Sequence, residues 1–313
     1  MTEVAEEAAK LRTVAIAFVA NLLVAIAKSV AAALTGSASM LAESAHSWAD
    51  AGNEIFLLIA ERRSVKPADV SHPLGFGREA YVWSLFAAVG LFTAGAVVSV
   101  QHGITELIDP EPARDFGIAY VVLAIAAVLE GISFAQSIVQ ARRGAARFGR
   151  TTIEYALNSS NPTLRAVLAE DAAALTGLAI AFAGILLHQL TGSSAWDAMG
   201  SLAIGLLLGV VAVILINRNR RFLVGQTPDV RIRAAAGRAL AEHPEINRVT
   251  YLHLEFVGPA QLFVVAAVDL EGDHREGEIA LQLRTLERAI EKNTMIQKAI
   301  LTLSVSDEPS ITF

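Results

Sequence analysis

Three ionisable side chains lie at helical spacing in one apolar stretch of this 313-residue chain. The stretch is residues 40–53, MLAESAHSWADAGN, and the side chains belong to Glu43, His46 and Asp50. Residues three and four apart share a face of an α-helix, so the three groups point the same way. An imidazole and a carboxylate one turn apart form half of a metal site. The alternative is that His46 and Asp50 only hydrogen-bond each other and hold two helices together.

The composition indicates a membrane protein with several spans. Hydrophobic residues make up 54% of the chain, and the mean hydropathy is +0.49. A soluble domain rarely reaches this value, because its surface must be polar. There are no cysteines, which excludes disulfides and thiolate ligands. Any metal must therefore be bound by His, Asp, Glu, Asn or backbone oxygens.

Six apolar stretches are long enough to cross a bilayer. They are residues 13–34, 38–60, 81–108, 116–141, 164–190 and 196–216. Lysine and arginine residues cluster in alternate loops, whereas only Arg114 is basic in the opposite loops. The positive-inside rule then predicts that both termini lie in the cytoplasm. We expect an integral membrane protein of a bacterial inner (plasma) membrane.

The composition changes after Arg221, and residues 222–313 contain no spanning run. Periodicity predicts helices at 230–243 and 276–293 and strands at 249–257, 261–270 and 299–305. This order fits a small α+β domain of ferredoxin-like type. About 90 residues form only a modest core, which favours dimerisation. We therefore predict a transmembrane domain, 1–221, of six α-helices in a bundle, and a cytoplasmic dimerisation domain, 222–313.

Six spans, His-x-x-x-Asp in the second span and an α+β tail resemble the cation diffusion facilitator family. The most specific matching residues are Gly36-Ser37 leading into 41–50, and HPLGFGRE at 72–79. The resemblance implies a homodimer that exports divalent metals, mainly zinc, in exchange for protons. It implies a transporter and not an enzyme, with no cofactor beyond the transported ion. Its partners would be the lipid bilayer, metal ions and protons, with no nucleic acid.

The fifth span departs from the family pattern, which usually places a second His-x-x-x-Asp or Asp-x-x-x-Asp pair there. Asp171 matches the final aspartate, but the position one turn earlier is Val167, and Glu170 directly precedes Asp171. This Glu-Asp variant looks like the branch that includes the mitochondrial zinc transporter of animals. Adjacent helical residues lie about 100° apart, so only one of the pair can face the site fully. We expect Asp171 to be a ligand. Glu170 and Glu43 are both candidates for the fourth ligand or for a proton carrier. The alternative for each is that it only forms a hydrogen bond to a neighbouring helix.

Further polar positions bear on this site and on a second metal site found in some members of the family. Asn21 and Asn53 lie near the same depth, where they either support the ligands or join helices. In the loop after the second span, Asp69 and His72 match two family ligands, but the third position is Phe76. We therefore expect no metal there.

The C-terminal domain of zinc-sensing members of the family uses several histidines and an aspartate. The corresponding positions here are Thr250, Ala266, Ser306 and Glu308, and His243, His253 and His274 are scattered. We expect no zinc cluster in this domain and assign it to dimerisation.

The ligand chemistry suggests a mechanism. His46, Asp50, Asp171 and one glutamate supply one nitrogen and three oxygen donors, which suit zinc and also Mn²⁺, Fe²⁺ or Co²⁺. Binding requires a neutral imidazole and ionised carboxylates, so it releases protons. Two other function classes remain, namely an organic-cation transporter and a membrane-tethered assembly module with a vestigial site. No phosphate loop, nucleophile elbow or metalloprotease motif suggests catalysis.

Overall fold

The computed structural model describes residues 2–110, 115–147, 149–272 and 275–313, so Arg114 and His274 lie outside the described residues. The helices are α1 (Thr2–Thr35), α2 (Ala38–Ser64), α3 (Glu79–Gly90), α4 (Val98–Ile108), α5 (Phe116–Arg147), α6 (Thr152–Asn158), α7 (Pro162–Thr191), α8 (Ala195–Val224), α9 (Val230–Ala241) and α10 (Glu276–Ile290). The strands are β1 (Ile246–Gly258), β2 (Gln261–Leu270) and β3 (Ile296–Leu303). A π-helical stretch, Leu91–Val97, joins α3 to α4.

The chain divides into two compact units. The first contains residues up to 59 together with Trp83–Asn219, and the second contains Ala60–Val82 together with Arg220–Phe313. The end of α2, the following loop and the start of α3, which together form residues 60–82, thus cluster with the C-terminal residues. The assignment of 1–221 to a membrane domain and 222–313 to a cytoplasmic domain stays a prediction.

Five helical stretches in the described part of the chain are long and apolar enough to cross a membrane. They are Phe18–Thr35, Glu79–Ile108, Phe116–Ala146, Pro162–Thr191 and Ala195–Val224. Helix α2 has 27 residues, or about 40 Å of length, but its ionisable residues lower its hydropathy. Five of the six predicted spans are therefore found as apolar helices, and the span over α2 stays a prediction.

The outer faces of these helices carry large apolar side chains, as expected of an integral membrane protein. On α1 the exposed residues follow one stripe: Val19, Leu23, Ile26, Val30 and Leu34. Between the helices the core is made largely of small residues, among them Ala31, Ala42, Ala126, Ala173 and Ala181. Small residues let helix backbones approach closely, which is how membrane helices pack without a hydrophobic driving force.

The second unit contains a three-stranded sheet of order β1-β2-β3. β1 pairs with β2 antiparallel, and β2 pairs with β3 parallel. Leu240 of α9 and Leu286 of α10 join Leu252, Val264 and Ala299 in one buried core. The predicted helix–strand–strand–helix–strand order is therefore present, with ends shifted by a few residues. The ferredoxin-like assignment stays a prediction.

Candidate metal site

Helix α2 presents the predicted site residues, and its first turn is fixed by a residue from α8. The Asp197 carboxylate accepts hydrogen bonds from Ser37 Oγ at 3.0 Å, Ala38 N at 2.8 Å and Ser39 N at 3.2 Å. These backbone amides have no partner within the helix, so the carboxylate caps them. Ser39 Oγ also donates to the Asp197 carbonyl at 2.8 Å. The cap sets the position of α2, and with it that of His46.

His46 and Asp50 lie together, one turn apart on α2. The imidazole is fully buried, and its Nε2 atom is 3.4 Å from Asp50 Oδ2. Among the described residues neither imidazole nitrogen has a hydrogen-bond partner, and neither has Asp50 Oδ1. A buried polar atom without a partner costs free energy, and a bound ion is one way to satisfy such atoms. These atoms are ones that bind divalent metals.

A cavity of about 90 Å³ lies beside Asp50 within the first unit. Such a volume holds an ion with several waters. Four helices contribute polar side chains to its wall: Asn21, Ser47, Asp50, Glu54, Glu130, Ser133, Glu170 and Asp171. Five of these are carboxylates, in an interior of otherwise apolar helices. The cavity is therefore chemically suited to a cation.

Both carboxylates of the Glu-Asp pair on α7 line this cavity. Asp171 accepts hydrogen bonds from Ser133 Oγ at 3.1 Å and Ser137 Oγ at 2.7 Å, both on α5. Glu170 accepts one from Asn53 Nδ2 on α2 at 3.3 Å. Both side chains thus reach the cavity wall, although the helical rotation between them predicts that Glu170 reaches only the edge.

Glu43 is placed differently from the other sequence-predicted residues. Its Oε2 atom lies 2.9 Å from Lys28 Nζ, and Lys28 Nζ also lies 2.9 Å from Glu130 Oε1. Glu43 does not line the cavity described above. The structure therefore joins Asp50, Glu170 and Asp171 at one cavity, sets His46 against Asp50, and pairs Glu43 with a lysine.

Three further ionisable residues lie in this region and are not among the residues predicted from the sequence: Lys28, Glu54 and Glu130. Each is a charged residue within or near an apolar stretch, which is the same signal that identified Glu43. Glu54 stands one turn after Asp50 on α2, and its carboxylate accepts a hydrogen bond from Asn21 at 2.5 Å. Asn21 thus contacts a cavity residue, as one of its two predicted roles requires.

The candidate ligands do not converge tightly enough to bind a metal as they stand. Within the described residues, no three His, Asp or Glu side chains are grouped closely enough to hold an ion. The pair on α2 and the pair on α7 would have to approach each other. The ligand assignment therefore stays a prediction.

The loop between α2 and α3 contains Asp69 and His72, where the sequence predicts no metal site. Asp69 Oδ1 accepts hydrogen bonds from Ser71 Oγ at 2.8 Å and from the backbone of Ser71 and His72. The hydrogen bond from the Ser71 side chain is the main cause that lowers the pKa of Asp69. His72 Nδ1 is 3.3 Å from Asp69 Oδ1, and the His72 ring packs on Phe76 with centroids 4.0 Å apart. The aromatic ring occupies the third position, where it offers no ligand atom.

In the second unit, two of the four positions predicted to correspond to the family's zinc-sensing residues contact each other. Thr250 Oγ1 donates to Glu308 Oε2 at 2.9 Å. The Arg248 guanidinium donates to the carbonyls of Val305, Ser306 and Glu308, at 3.2, 3.2 and 2.6 Å, and to Asp269 at 3.0 Å. An arginine thus joins β1 to the segment after β3.

Comparison with known proteins gives one family. The sequence model of the cation efflux transmembrane domain matches residues 14–224. Metal tolerance protein C4 of Arabidopsis thaliana is 34% identical over 74% of this chain and 51% of its own length. The human mitochondrial proton-coupled zinc antiporter SLC30A9 is 33% identical over 83% of this chain and 46% of its own.

A third relative is the probable cation efflux system protein Rv2025c of Mycobacterium tuberculosis. It is 27% identical over 86% of this chain and 77% of its own length. The chain spans about half the length of the plant and animal relatives that it matches.

Proposed function

The chain belongs to the cation efflux family, and on that premise we propose that it exports divalent metal ions, chiefly zinc, in exchange for protons. Membership makes it a membrane cation transporter rather than an enzyme. The zinc cargo and the proton coupling are proposals, supported by the names of the animal relatives and by the donor set. The observation that carries the proposal is the cavity beside Asp50, because five carboxylates border it, one of them buried and four partly buried.

We assign the ion to His46, Asp50 and Asp171, with Glu170 as the fourth ligand. Glu170 is favoured over Glu43 because it lines the cavity, while Glu43 pairs with Lys28. One nitrogen and three oxygens form a tetrahedral set that zinc tolerates. The same set is harder than a thiolate site, so Mn²⁺, Fe²⁺ and Co²⁺ are the second candidate cargo.

Proton exchange follows from the ligand chemistry. The metal requires an unprotonated imidazole and ionised carboxylates, so it binds as these groups lose protons. Protons that arrive from the other side of the membrane occupy the same atoms and displace the ion. A bundle that opens alternately to the two sides then couples the two flows. In this cycle α2 and α7 close on the ion and separate when it leaves.

The homodimer and the cytoplasmic location of both termini also remain proposals. One row of the sheet in the second unit contains His253, Val265 and Ile300 side by side. Tyr251 is on the same face, and both Tyr251 and Ile300 are exposed although they are large and apolar. A sheet face that exposes large side chains such as these is a surface on which a second copy can pack. The positive-inside rule supports the location of the termini.

Reconstituted liposomes test the proposal. Zinc flux is compared with the flux of Mn²⁺, Fe²⁺ and Co²⁺, each measured separately. We expect the purified chain to transport zinc fastest, and to transport it faster when the compartment that receives the zinc is acidic. Transport of an organic cation without metal would indicate the organic-cation class. A chain that forms dimers but moves no ion under any pH gradient would indicate an assembly module.

A further inference from the structure

Lys28 is a fully buried lysine in the first apolar helix, and the metal assignment does not use it. Its ammonium group contacts two carboxylates, Glu43 on α2 and Glu130 on α5, each at 2.9 Å. An ammonium group is buried at this depth only when carboxylates pair with it. The Lys28 ammonium group therefore joins three helices, α1, α2 and α5.

Glu130 borders both this cation and the metal cavity. One of its oxygens, Oε1, accepts from Lys28, and the other, Oε2, is buried with no hydrogen-bond partner among the described residues. The same side chain lines the cavity beside Asp50 and Asp171. A single carboxylate thus lies between a lysine and the space proposed for the ion.

Glu43, the other partner of Lys28, does not line the cavity. Its Oε1 atom lies so close to Gly177 of α7 that a Cβ there would overlap it. The glycine therefore makes room for the carboxylate, and the Lys28 hydrogen bond holds it there. The two partners of Lys28 differ in this respect, since only Glu130 can reach an ion without leaving its place.

We infer that Lys28 is a tethered counter-cation, anchored by Glu43 outside the metal cavity, that competes with the divalent ion for Glu130. The inference rests on the proposed function. A divalent ion in the cavity attracts Glu130 and weakens its contact with Lys28. When the ion leaves, Lys28 pairs with Glu130 again. A fixed positive charge nearby lowers the affinity for a dication, and the effect is strong where water is excluded. Lys28 thereby favours release of the ion.

Two double variants with the same change in charge test the inference. K28Q/E43Q leaves Glu130 as the remaining carboxylate, and K28Q/E130Q leaves Glu43. Zinc binding to the purified full-length chain is measured by titration calorimetry, and zinc flux is measured in liposomes. We expect K28Q/E43Q to bind zinc roughly tenfold more tightly than wild type and to transport it more slowly. K28Q/E130Q should bind no more tightly than wild type, because its free carboxylate does not border the cavity.

Equal affinities in the two double variants, or tighter binding by K28Q/E130Q, overturn the inference. If the doubles fail to fold, Glu130→Gln alone leaves the Lys28–Glu43 pair intact and should weaken zinc binding several-fold. An unchanged affinity in that variant overturns the inference as well. Lys28→Arg keeps the charge and should retain the wild-type affinity. If the wild-type chain binds no divalent metal, the proposed function itself is refuted. If the wild-type chain binds zinc and the two double variants have equal zinc affinities, only the role of Lys28 is refuted.

Discussion

Asn53 Nδ2 lies 3.3 Å from Glu170 Oε1, and this hydrogen bond joins the two helices that carry the proposed ligands. The neighbouring Asp171 is held by Ser133 and Ser137 of α5 instead. Two adjacent carboxylates are thus tied to different helices. A movement of α2 against α5 would therefore act on Glu170 and Asp171 separately, which makes their roles experimentally distinguishable.

We predict that His46→Ala and Asp50→Ala each abolish zinc flux and leave a folded protein. Each removes a buried ligand atom that has no hydrogen-bond partner in the described part of the chain. Asp50 lines the cavity, and His46 lies against Asp50. Flux into liposomes and size-exclusion chromatography measure the two effects. His188→Ala is a matched control, since His188 is also a buried histidine but packs on the Phe116 ring, away from the assigned ligands. Normal zinc and manganese flux in both site variants would refute the ligand assignment.

For the pair on α7 we predict unequal effects. Asp171→Asn should remove tight metal binding, because a charged oxygen donor is lost at the position of the family ligand. Glu170→Gln should weaken binding less and should reduce the number of protons released per ion, since one titrating carboxylate is gone. Calorimetry in buffers of different ionisation enthalpy counts these protons. Tight binding by Asp171→Asn, with a wild-type proton count for Glu170→Gln, would reverse the roles or make both residues structural.

The loop site gives a prediction of no effect. Asp69→Ala and His72→Ala should leave flux near the wild-type rate, because Phe76 stands where a third ligand would be needed. An exposed aspartate is ionised at neutral pH, and the hydrogen bonds of Asp69 lower its pKa further, so its charge does not change in a neutral assay. Liposome flux at one fixed pH suffices. Loss of transport in either variant would show that this loop binds the ion.

Arg248→Ala should destabilise the link between β1 and the segment after β3. The substitution removes hydrogen bonds to three backbone carbonyls and to Asp269, and we expect a loss of about 1–2 kcal/mol because the guanidinium is partly exposed. Hydrogen exchange of the full-length chain should show faster exchange in β1 and in residues 304–313. Arg238→Ala, at an exposed site on α9, is the control and should change exchange little. Unaltered exchange in Arg248→Ala would refute the role.

Residue spacing predicted His46 and Asp50 as neighbours, because residues four apart on one helix need no tertiary information. The same holds for the apolar stretches and the strands around 258–261, where local pattern dictates local structure. The partners of Glu43 and Asp171 could not be predicted. Lys28, Ser133 and Ser137 lie on other helices, and residue spacing along one helix does not show how different helices pack together. Asp197 is the extreme case, because it caps a helix that begins 159 residues earlier.

Asp197 anchors the first turn of α2, so a tilt of this helix would occur about its N-terminal end. Asp50 lies twelve residues from Ala38, or about 18 Å along the helix, so a tilt of about 10° about that end moves it by about 3 Å. A displacement of this size breaks or makes a metal–ligand contact. Gly184 and Gly200 pack against Ser39 at the same end, where a Cβ on Gly200 would overlap the serine hydroxyl. Small residues thus let this end of α2 pack closely, and a tilt about it would move His46 and Asp50 together.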